Sequence, residues 1–394
     1  MKVLVLQSEL GVLRGGGENF TRNLFTAFAQ RGHHVAAAFV ADRRGRYPLP
    51  LPPAIEPIPV AGWWSMNLGQ EALAAAGRYI PGDRFRKKWD GLQQGISWRT
   101  IQWHRGRFQR RVEAEFANRW GDYDAVYVHS NLPLASKVAR LRPTVMRLPG
   151  PVEAECAGVL RSVHAVCANG DALAQIRTFL GDHAVELPIG LDNQLFTPNG
   201  GSVRSRLGWG DKHRVIGYVG RLTHLKGVDL LAAAFRKFLQ RAPDARLLVI
   251  GSGAEERNIV PVLARELARG IVHIEPDIPH RELPEWYRTM NLLVMPSRYE
   301  NFSNALLEGM ACGVPFLASD VGGNRILAET GAGWLFQSNS VSSLSANLQS
   351  IINDAGAIKA RAAIGIRYVQ EHNSWAATAD RLEWIIASRL GVKS

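Results

Sequence analysis

Two glutamates, Glu300 and Glu308, stand eight positions apart in the stretch Tyr299-Glu300-Asn301-Phe302-Ser303-Asn304-Ala305-Leu306-Leu307-Glu308. The apolar run Leu292-Leu293-Val294-Met295 precedes them and ends at Pro296, and Ala311-Cys312-Gly313-Val314-Pro315 follows. The order reads as strand, loop and helix, with Glu300 on the loop and Glu308 about two turns into the helix. Ser303 or Asn304 can cap that helix, whose open N–H groups then face whatever sits above the strand ends. Two carboxylates and a helix N-terminus meeting at one point suit a ligand with hydroxyls at its ends and phosphate in its middle, as in a nucleotide sugar. The same pair also reads as a surface-loop glutamate and a solvated helix glutamate, so further motifs must decide.

A second cluster supplies cations. Gly217-Tyr218-Val219-Gly220-Arg221-Leu222 continues as Thr223-His224-Leu225-Lys226-Gly227-Val228-Asp229. A strand ends at Gly220, Arg221 and Lys226 follow, and Gly227 opens a helix. Arginine offers phosphate a bidentate fork and lysine a point charge. Two fixed cations at a departing diphosphate would lower the barrier without a metal. Alone, the same residues fit a surface turn with solvated cations.

Three further segments lie near strand ends. Gly251-Ser252-Gly253 follows the apolar run Leu247–Ile250 but has no third glycine where a dinucleotide fingerprint needs one, so it reads as a tight turn near a base or ribose. Gly16 and Gly17, with Gly15, follow the first apolar run and precede a helix, so either a phosphate or an acceptor hydroxyl could dock there. His129 ends the run Ala125–Val128 and could bond a sugar hydroxyl, act as a base or be satisfied by backbone. The triplet Asp122-Tyr123-Asp124 invites a metal, but it lies at the amino end of that strand, away from the ligand edge, and no metal is assigned.

Positioning these residues requires alternating strands and helices. Strands are expected at Val3–Gln7, Val35–Val40, Ala125–Val128, Thr144–Arg147 and Val163–Ala168. The pattern restarts at Val215–Val219, Leu247–Ile250, Val272–Ile274, Leu292–Met295 and Phe316–Ser319. Strands separated by helices imply parallel sheets covered on both faces. The restart implies two doubly wound, Rossmann-like domains, an α/β fold with the site expected in the cleft between them. The expected division is 1–188 for the first, acceptor-binding domain and 189–373 for the second, donor-binding domain. The 394 residues, 46% of them hydrophobic, suffice for two such cores. Three cysteines without a CxxC pair argue against a disulfide framework or zinc site and for a reducing compartment. The first apolar run reads as a strand rather than a signal peptide, so a cytoplasmic location is expected.

The net charge of +12 is concentrated between Arg78 and Arg111, with ten Lys or Arg and two acids, interleaved with Tyr79, Phe85, Trp89, Trp98, Trp103 and Phe108. With Trp63 and Trp64 just upstream, the stretch 62–111 fits an anionic membrane surface better than nucleic acid, or an ordinary helix with a solvated basic face. The prolines Pro48, Pro50, Pro52 and Pro53 mark the insertion from about Tyr47 to Trp120 as specialised.

Together these segments resemble glycosyltransferase family 4, retaining enzymes of the GT-B fold, over most of the chain and most strongly from Gly217 to Leu335. Glu300 and Glu308 match the family's Glu-x7-Glu pair, Arg221 and Lys226 its Gly-Arg-Leu…Lys-Gly segment, and Pro188-Ile189-Gly190-Leu191-Asp192…Phe196 its inter-domain segment. The resemblance implies that Glu300 contacts hydroxyls of the transferred sugar and Glu308 accepts from the ribose. It further implies that Arg221 and Lys226 hold the diphosphate, assisted by N–H groups around Phe302, Ser303 and Asn304, and that a last helix over 374–394 returns to the first domain. Two positions depart from the pattern. Pro149 stands nearest the place of the family's active-site histidine, leaving Arg147 and His129 as candidates on the acceptor side. Gly322-Gly323-Asn324 lacks the glutamate many members carry there.

The expected activity is transfer of a sugar from a nucleoside-diphosphate donor to a hydroxyl of a glycan or lipid-linked glycan. Such a protein would work at the inner membrane face in bacterial surface-polysaccharide assembly, with no cofactor and no nucleic acid. The alternatives are a nucleotide-sugar epimerase and a binding protein that has lost its chemistry.

Overall fold

A computed structural model describes residues 1–12, 16–61 and 105–392. The chain divides into two compact units, one made of Met1–Ala168, Ile176–Leu187 and Thr378–Ser394, the other of Asn169–Gln175 and Pro188–Ala377.

The first unit is a seven-stranded sheet in the order β3-β2-β1-β4-β5-β6-β7, every pair parallel. Its strands are β1 Lys2–Leu6, β2 His34–Ala41, β3 Ile55–Ala61, β4 Ala125–His129, β5 Thr144–Arg147, β6 Ala165–Ala168 and β7 Ala184–Glu186. β1, β4, β5 and β6 are buried along nearly their whole length because each is covered on both faces, the usual condition of a parallel sheet. The helix Gly16–Gln30 returns the chain from β1 to β2 and buries Phe20, Leu24, Phe25 and Phe28. The final stretch Thr378–Ser394 belongs to this unit through Arg31, which pairs with Asp380 and with Glu383 at 3.2 Å, and through Arg381, whose Nε donates to the Glu186 carbonyl at 3.2 Å.

Strand β3 was not expected from sequence, since Pro57 and Pro59 argue against a strand. It survives because it lies at the sheet edge. Pro57 and Pro59 are two residues apart, so both missing N–H groups point to the same side of the strand. On the open side they cost no ladder hydrogen bond. β7 was also missed; three residues are too few for a periodic signal.

The second unit is a six-stranded parallel sheet ordered β10-β9-β8-β11-β12-β13. Its strands are β8 Arg214–Val219, β9 Ala245–Ile250, β10 Val272–Glu275, β11 Leu292–Met295, β12 Phe316–Ser319 and β13 Gly333–Phe336. The strand order reverses between β8 and β11, where loops leave the two central strands in opposite directions and open a crevice at their carboxyl ends. The loops there are 220–227 after β8, 251–255 after β9, 296–303 after β11 and 320–321 after β12. They are drawn together by glycine. A Cβ on Gly251 would sit 2.0 Å from the Gly220 carbonyl oxygen, and one on Gly253 would sit 2.4 Å from that of Leu222. The Leu222 N–H donates to the Ser252 carbonyl and the Glu255 N–H to the Leu222 carbonyl, each at 2.9 Å.

Gly227 has a similar task between the β8 and β11 loops. It is left-handed, with φ of 67°, and caps the helix Val228–Leu239; a Cβ there would lie 2.0 Å from the Pro296 carbonyl oxygen. Gly227→Ala is expected to destabilise the second unit by about 2–4 kcal/mol, the left-handed strain plus the overpacking. Denaturant titration of the variant checks this; an unchanged midpoint would show that the two loops are not in contact.

Candidate active site

The two loops at the reversal point are joined by Arg298. Its guanidinium forks the Asp229 carboxylate, Nη1 to Oδ1 at 2.8 Å and Nη2 to Oδ2 at 2.7 Å. Nη1 also donates to the His224 carbonyl at 2.6 Å, Nε donates to Asn339 Oδ1 at 3.1 Å, and the backbone N–H donates to the Leu225 carbonyl at 2.8 Å. Burial pushes the Asp229 carboxyl up, but the hydrogen bonds and charge of Arg298 outweigh it and hold the group below its ordinary range. One side chain on the β11 loop thus fixes both ends of the turn that carries Lys226.

With the turn fixed, Lys226 Nζ donates to Glu300 Oε2 at 2.6 Å. Glu300 is 6% exposed, and its Oε2 also accepts from the buried Ser297 Oγ at 3.2 Å. The Glu300 backbone is held from another side: its carbonyl accepts from the Gly323 N–H at 2.9 Å, where the helix Gly322–Glu329 begins. A Cβ on Gly322 would meet the Glu300 carbonyl oxygen at 2.3 Å, and one on Gly323 the Asn301 carbonyl oxygen at 2.0 Å. The Gly-Gly pair is therefore what lets this helix start directly against the Glu300 loop. Asn301 is tied in turn to the segment Asn169–Gln175, accepting from the Asp171 N–H at 3.0 Å and, through Oδ1, from the Ala172 N–H at 2.7 Å.

Ser303 caps the helix Asn304–Ala311, its Oγ accepting from the Leu306 N–H at 3.4 Å, so the helix starts where the sequence places it. Glu308, one turn from the end of this helix, does not touch Glu300. Its Oε2 accepts from the buried Tyr287 hydroxyl at 2.8 Å and its Oε1 is 3.2 Å from His280 Nε2. Burial, then the Glu308 charge, pushes the Tyr287 phenol well up, so it stays a donor.

Arg221 is exposed, and its backbone carbonyl accepts from the Tyr218 hydroxyl at 2.8 Å. That hydroxyl is pushed up by burial first; Glu300 raises it further and Arg221 opposes, so both charges act on the same phenol. Gly251 lies against Gly220, immediately before Arg221. Arg221, Lys226, Gly251, Glu300, Phe302, Ser303, Asn304 and Glu308 therefore all lie on the carboxyl-end loops of one sheet or the helix that follows them.

The remaining candidates, Gly16, Gly17, His129 and Arg147, lie in the first unit. His129 and Arg147 are register partners at the carboxyl ends of β4 and β5. Gly17 packs against the imidazole: a Cβ there would sit 2.8 Å from His129 Nε2. His129 is buried, and burial, then the charges of Arg147 and Arg105, hold it well below the ordinary imidazole range and hence neutral. Asp124 is used structurally, accepting the Lys2 N–H at 2.7 Å at the amino end of the sheet.

Of the basic aromatic stretch, 62–104 lies outside the described residues. The part that follows is helical over 105–115, and there Phe108 is 3% exposed, so its ring belongs to the core and not to a surface belt. No helix among the described residues is long and apolar enough to cross a membrane. Sequence reasoning missed Arg298, Asp229, Ser297, Tyr287 and His280. Only Arg298 and Asp229 carried a signal, each being a charged residue beside a glycine or proline turn.

The contact between His280 and Glu308 sets a pH dependence. Hydrogen bonding to Glu308 raises His280 above its ordinary value, with burial opposing and Asp192 adding to the rise. The contribution is fully present below the unfolded value of about 6.5 and disappears as pH rises through the higher folded value. His280→Ala should therefore lower Tm at pH 5–6, with the gap to wild type closing by pH 9. A gap that does not vary with pH would mean that His280 is not charged against Glu308.

The chain is similar to known proteins in family and in fold. Residues 202–388 match the family described as Glycosyl transferases group 1. The chain is 32% identical over 199 residues to the D-inositol 3-phosphate glycosyltransferase of Thermobispora bispora, 48% of this chain and 46% of that one. The chain spans about half the length of the curated relatives it matches. Among solved structures, sucrose-phosphate synthase from Thermosynechococcus elongatus shares the fold at a TM-score of 0.76 and 20% identity, covering 100% of both chains. Anabaena Alr3699/HepE in complex with UDP does so at 0.66 and 18%, covering 98% of this chain and 100% of that one. The family match makes residues 202–388 a group 1 glycosyltransferase segment, as the resemblance to glycosyltransferase family 4 implies, and the solved structures share the chain's fold of two Rossmann-like domains of the GT-B type.

Proposed function

We propose that this protein is a retaining glycosyltransferase that moves a sugar from a nucleoside-diphosphate donor to an acceptor hydroxyl. The observation that carries the reading is the contact of Lys226 with the buried Glu300 at 2.6 Å. It sets a cation and a carboxylate side by side at the strand reversal, where α/β sheets bind ligands. Lys226 keeps two of its three N–H donors for phosphate oxygens. Arg221, exposed and on the same loop, adds a fork for the diphosphate. Glu300 uses Oε2 for Lys226 and Ser297, leaving Oε1 for a hydroxyl of the sugar. The first N–H groups of the helix capped by Ser303 assist at the phosphate, and Glu308 accepts from the ribose.

In the reaction the acceptor oxygen bonds to the anomeric carbon on the face the diphosphate leaves, and the bond from that carbon to the β-phosphate oxygen breaks. The acceptor proton passes to the departing phosphate. Negative charge growing on that phosphate is met by Lys226, already held against Glu300, and by Arg221 on the same loop, so little reorganisation of the lysine opposes the step. The donor base we favour is uracil, the base bound in the Alr3699/HepE complex. For the acceptor we favour a lipid-linked glycan, supported by the basic aromatic stretch 62–111. The name of the Thermobispora relative suggests a phosphorylated polyol instead. Both are hydroxyl acceptors that carry phosphate.

Glu300→Ala and Lys226→Ala should each cut kcat/KM for transfer by at least about a hundredfold, the loss typical of removing a group that stabilises transition-state charge, while circular dichroism stays unchanged. Assay with a panel of nucleotide sugars, with the anomer read by proton NMR, checks this. Near-normal transfer by either variant, an inverted product, or epimerisation of donor without acceptor would refute the reading. Arg86→Glu, Lys87→Glu and Lys88→Glu together should release the protein from anionic vesicles in co-sedimentation; undiminished binding would remove the membrane part of the proposal.

A further inference from the structure

At the carboxyl edge of the first unit's sheet, three adjacent strands end in polar side chains: Gln7 after β1, His129 on β4 and Arg147 on β5. In parallel strands register partners project to the same face, and so do residues two apart. Val5 pairs with Tyr127, and His129 with Arg147, so Gln7, His129 and Arg147 form one row. The row faces the helix Gly16–Gln30, since Gly17 abuts His129, Glu18 Oε1 accepts from Gln7 Nε2 at 3.1 Å, and Phe20 lies under Arg147.

Arg147 is the unusual member. It is 4% exposed, yet no acidic side chain forms an ion pair with it among the described residues. Its guanidinium carbon lies 3.6 Å from the centre of the Phe20 ring, and its Nε has no hydrogen-bond partner. The groups on the neighbouring strands that could carry negative charge are the Tyr127 hydroxyl and the Cys167 thiol. Burial keeps both protonated, Cys167 being pushed up to about 12. The nearby acids are engaged elsewhere: Glu18 with Gln7, and Glu9 at 4.0 Å from Arg105. His129, neutral, leaves Nδ1 without a partner, and Gln7 leaves Oε1 without one.

A buried cation lacking a counter-ion costs several kcal/mol, because neither water nor a carboxylate replaces its lost hydration. Methionine or leucine would fill the position at less cost, so stability does not account for the arginine. The row adjoins the start of a fifteen-residue helix, whose first backbone N–H groups have no partner within the helix itself. Here a cationic fork, a neutral imidazole and a helix N-terminus lie side by side on three elements. That donor set matches a phosphate group, which presents several strong acceptor oxygens and about two negative charges.

We propose that Arg147, with His129 and the helix start at Gly16–Gly17, forms a phosphate subsite, and that the phosphate it holds is carried by the acceptor. The assignment to an acceptor rests on the transferase reading above; the anion subsite itself does not. The phosphate could instead come from the donor diphosphate, and the experiment separates the two sources.

The test measures stabilisation and binding by inorganic phosphate, glycerol 1-phosphate, glycerol and UDP in wild type, Arg147→Met and Arg147→Lys. Wild type should be stabilised by phosphate and glycerol 1-phosphate and not by glycerol. Arg147→Met should weaken both phosphate ligands at least tenfold and leave UDP affinity unchanged. Without ligand, Arg147→Met should melt no lower than wild type, since an uncompensated cation has been removed. Arg147→Lys should retain part of the binding. A wild type indifferent to both phosphate ligands, or an Arg147→Met variant that binds them normally, overturns the subsite. Loss of UDP affinity in Arg147→Met with glycerol 1-phosphate unaffected overturns the acceptor assignment. If Arg147→Met does not fold, phosphorus NMR line broadening of glycerol 1-phosphate by Arg147→Lys gives the same decision. Phosphate binding through Arg147 in a protein that transfers no sugar would sink the transferase reading and leave the subsite standing.

Discussion

The bidentate hold of Arg298 on Asp229 is the constraint from which the second unit's site follows. It spans the loops after β8 and β11, and it also secures the His224 and Leu225 carbonyls. A lysine on a free turn would sample many rotamers and lose its conformational entropy on meeting Glu300. Here the turn is already anchored at both ends, so the contact with Glu300 orders little more than the lysine side chain. Glycine at 227 makes the anchoring sterically possible, and glycines at 322 and 323 do the same for the Glu300 loop from the other side.

Charge is handled differently in the two units. In the second, Lys226 faces Glu300, Arg298 faces Asp229 and His280 faces Glu308, and the contacts are made on or near ligand-edge loops. In the first, Arg147 is enclosed with an aromatic ring, a phenol and a thiol as its surroundings. Balanced pairs such as the first set hold geometry and can exchange partners when a ligand arrives. An enclosed cation without a balancing acid is poised for a ligand that brings the charge with it. The two arrangements suit the two chemical tasks of the proposed reaction, stabilising a leaving diphosphate and seating a second substrate.

The departures from the family pattern fit this division. Pro149 follows β5 near the place where many members have a histidine, and Arg147, two residues earlier, points into the row with His129 and Gln7 instead. Asn324, where a glutamate is common, turns inward: it is fully buried and its Nδ2 donates to the Ser319 carbonyl at 3.1 Å. It braces the β12 end rather than presenting an acid to a ligand.

Most of the strands and the Glu-x7-Glu helix were legible from sequence, because runs such as Val3-Leu4-Val5-Leu6 and Leu292-Leu293-Val294-Met295 can only be buried strands or short core segments, and the glycines between them mark the loops. The serine cap at 303 was legible for the same local reason. The edge strand Ile55–Ala61 was not, because whether a proline is tolerated depends on which side of the strand lies open, a property of the sheet. Nor was the pairing of Lys226 with Glu300, 74 positions apart, or the service of Arg298 to Asp229, 69 apart. Local sequence determined which side chains stand at strand ends, since periodicity and turn chemistry act over a few residues. Which of those side chains meet, and which cation finds no acid among the described residues, was decided only when the sheet order brought distant loops to one edge.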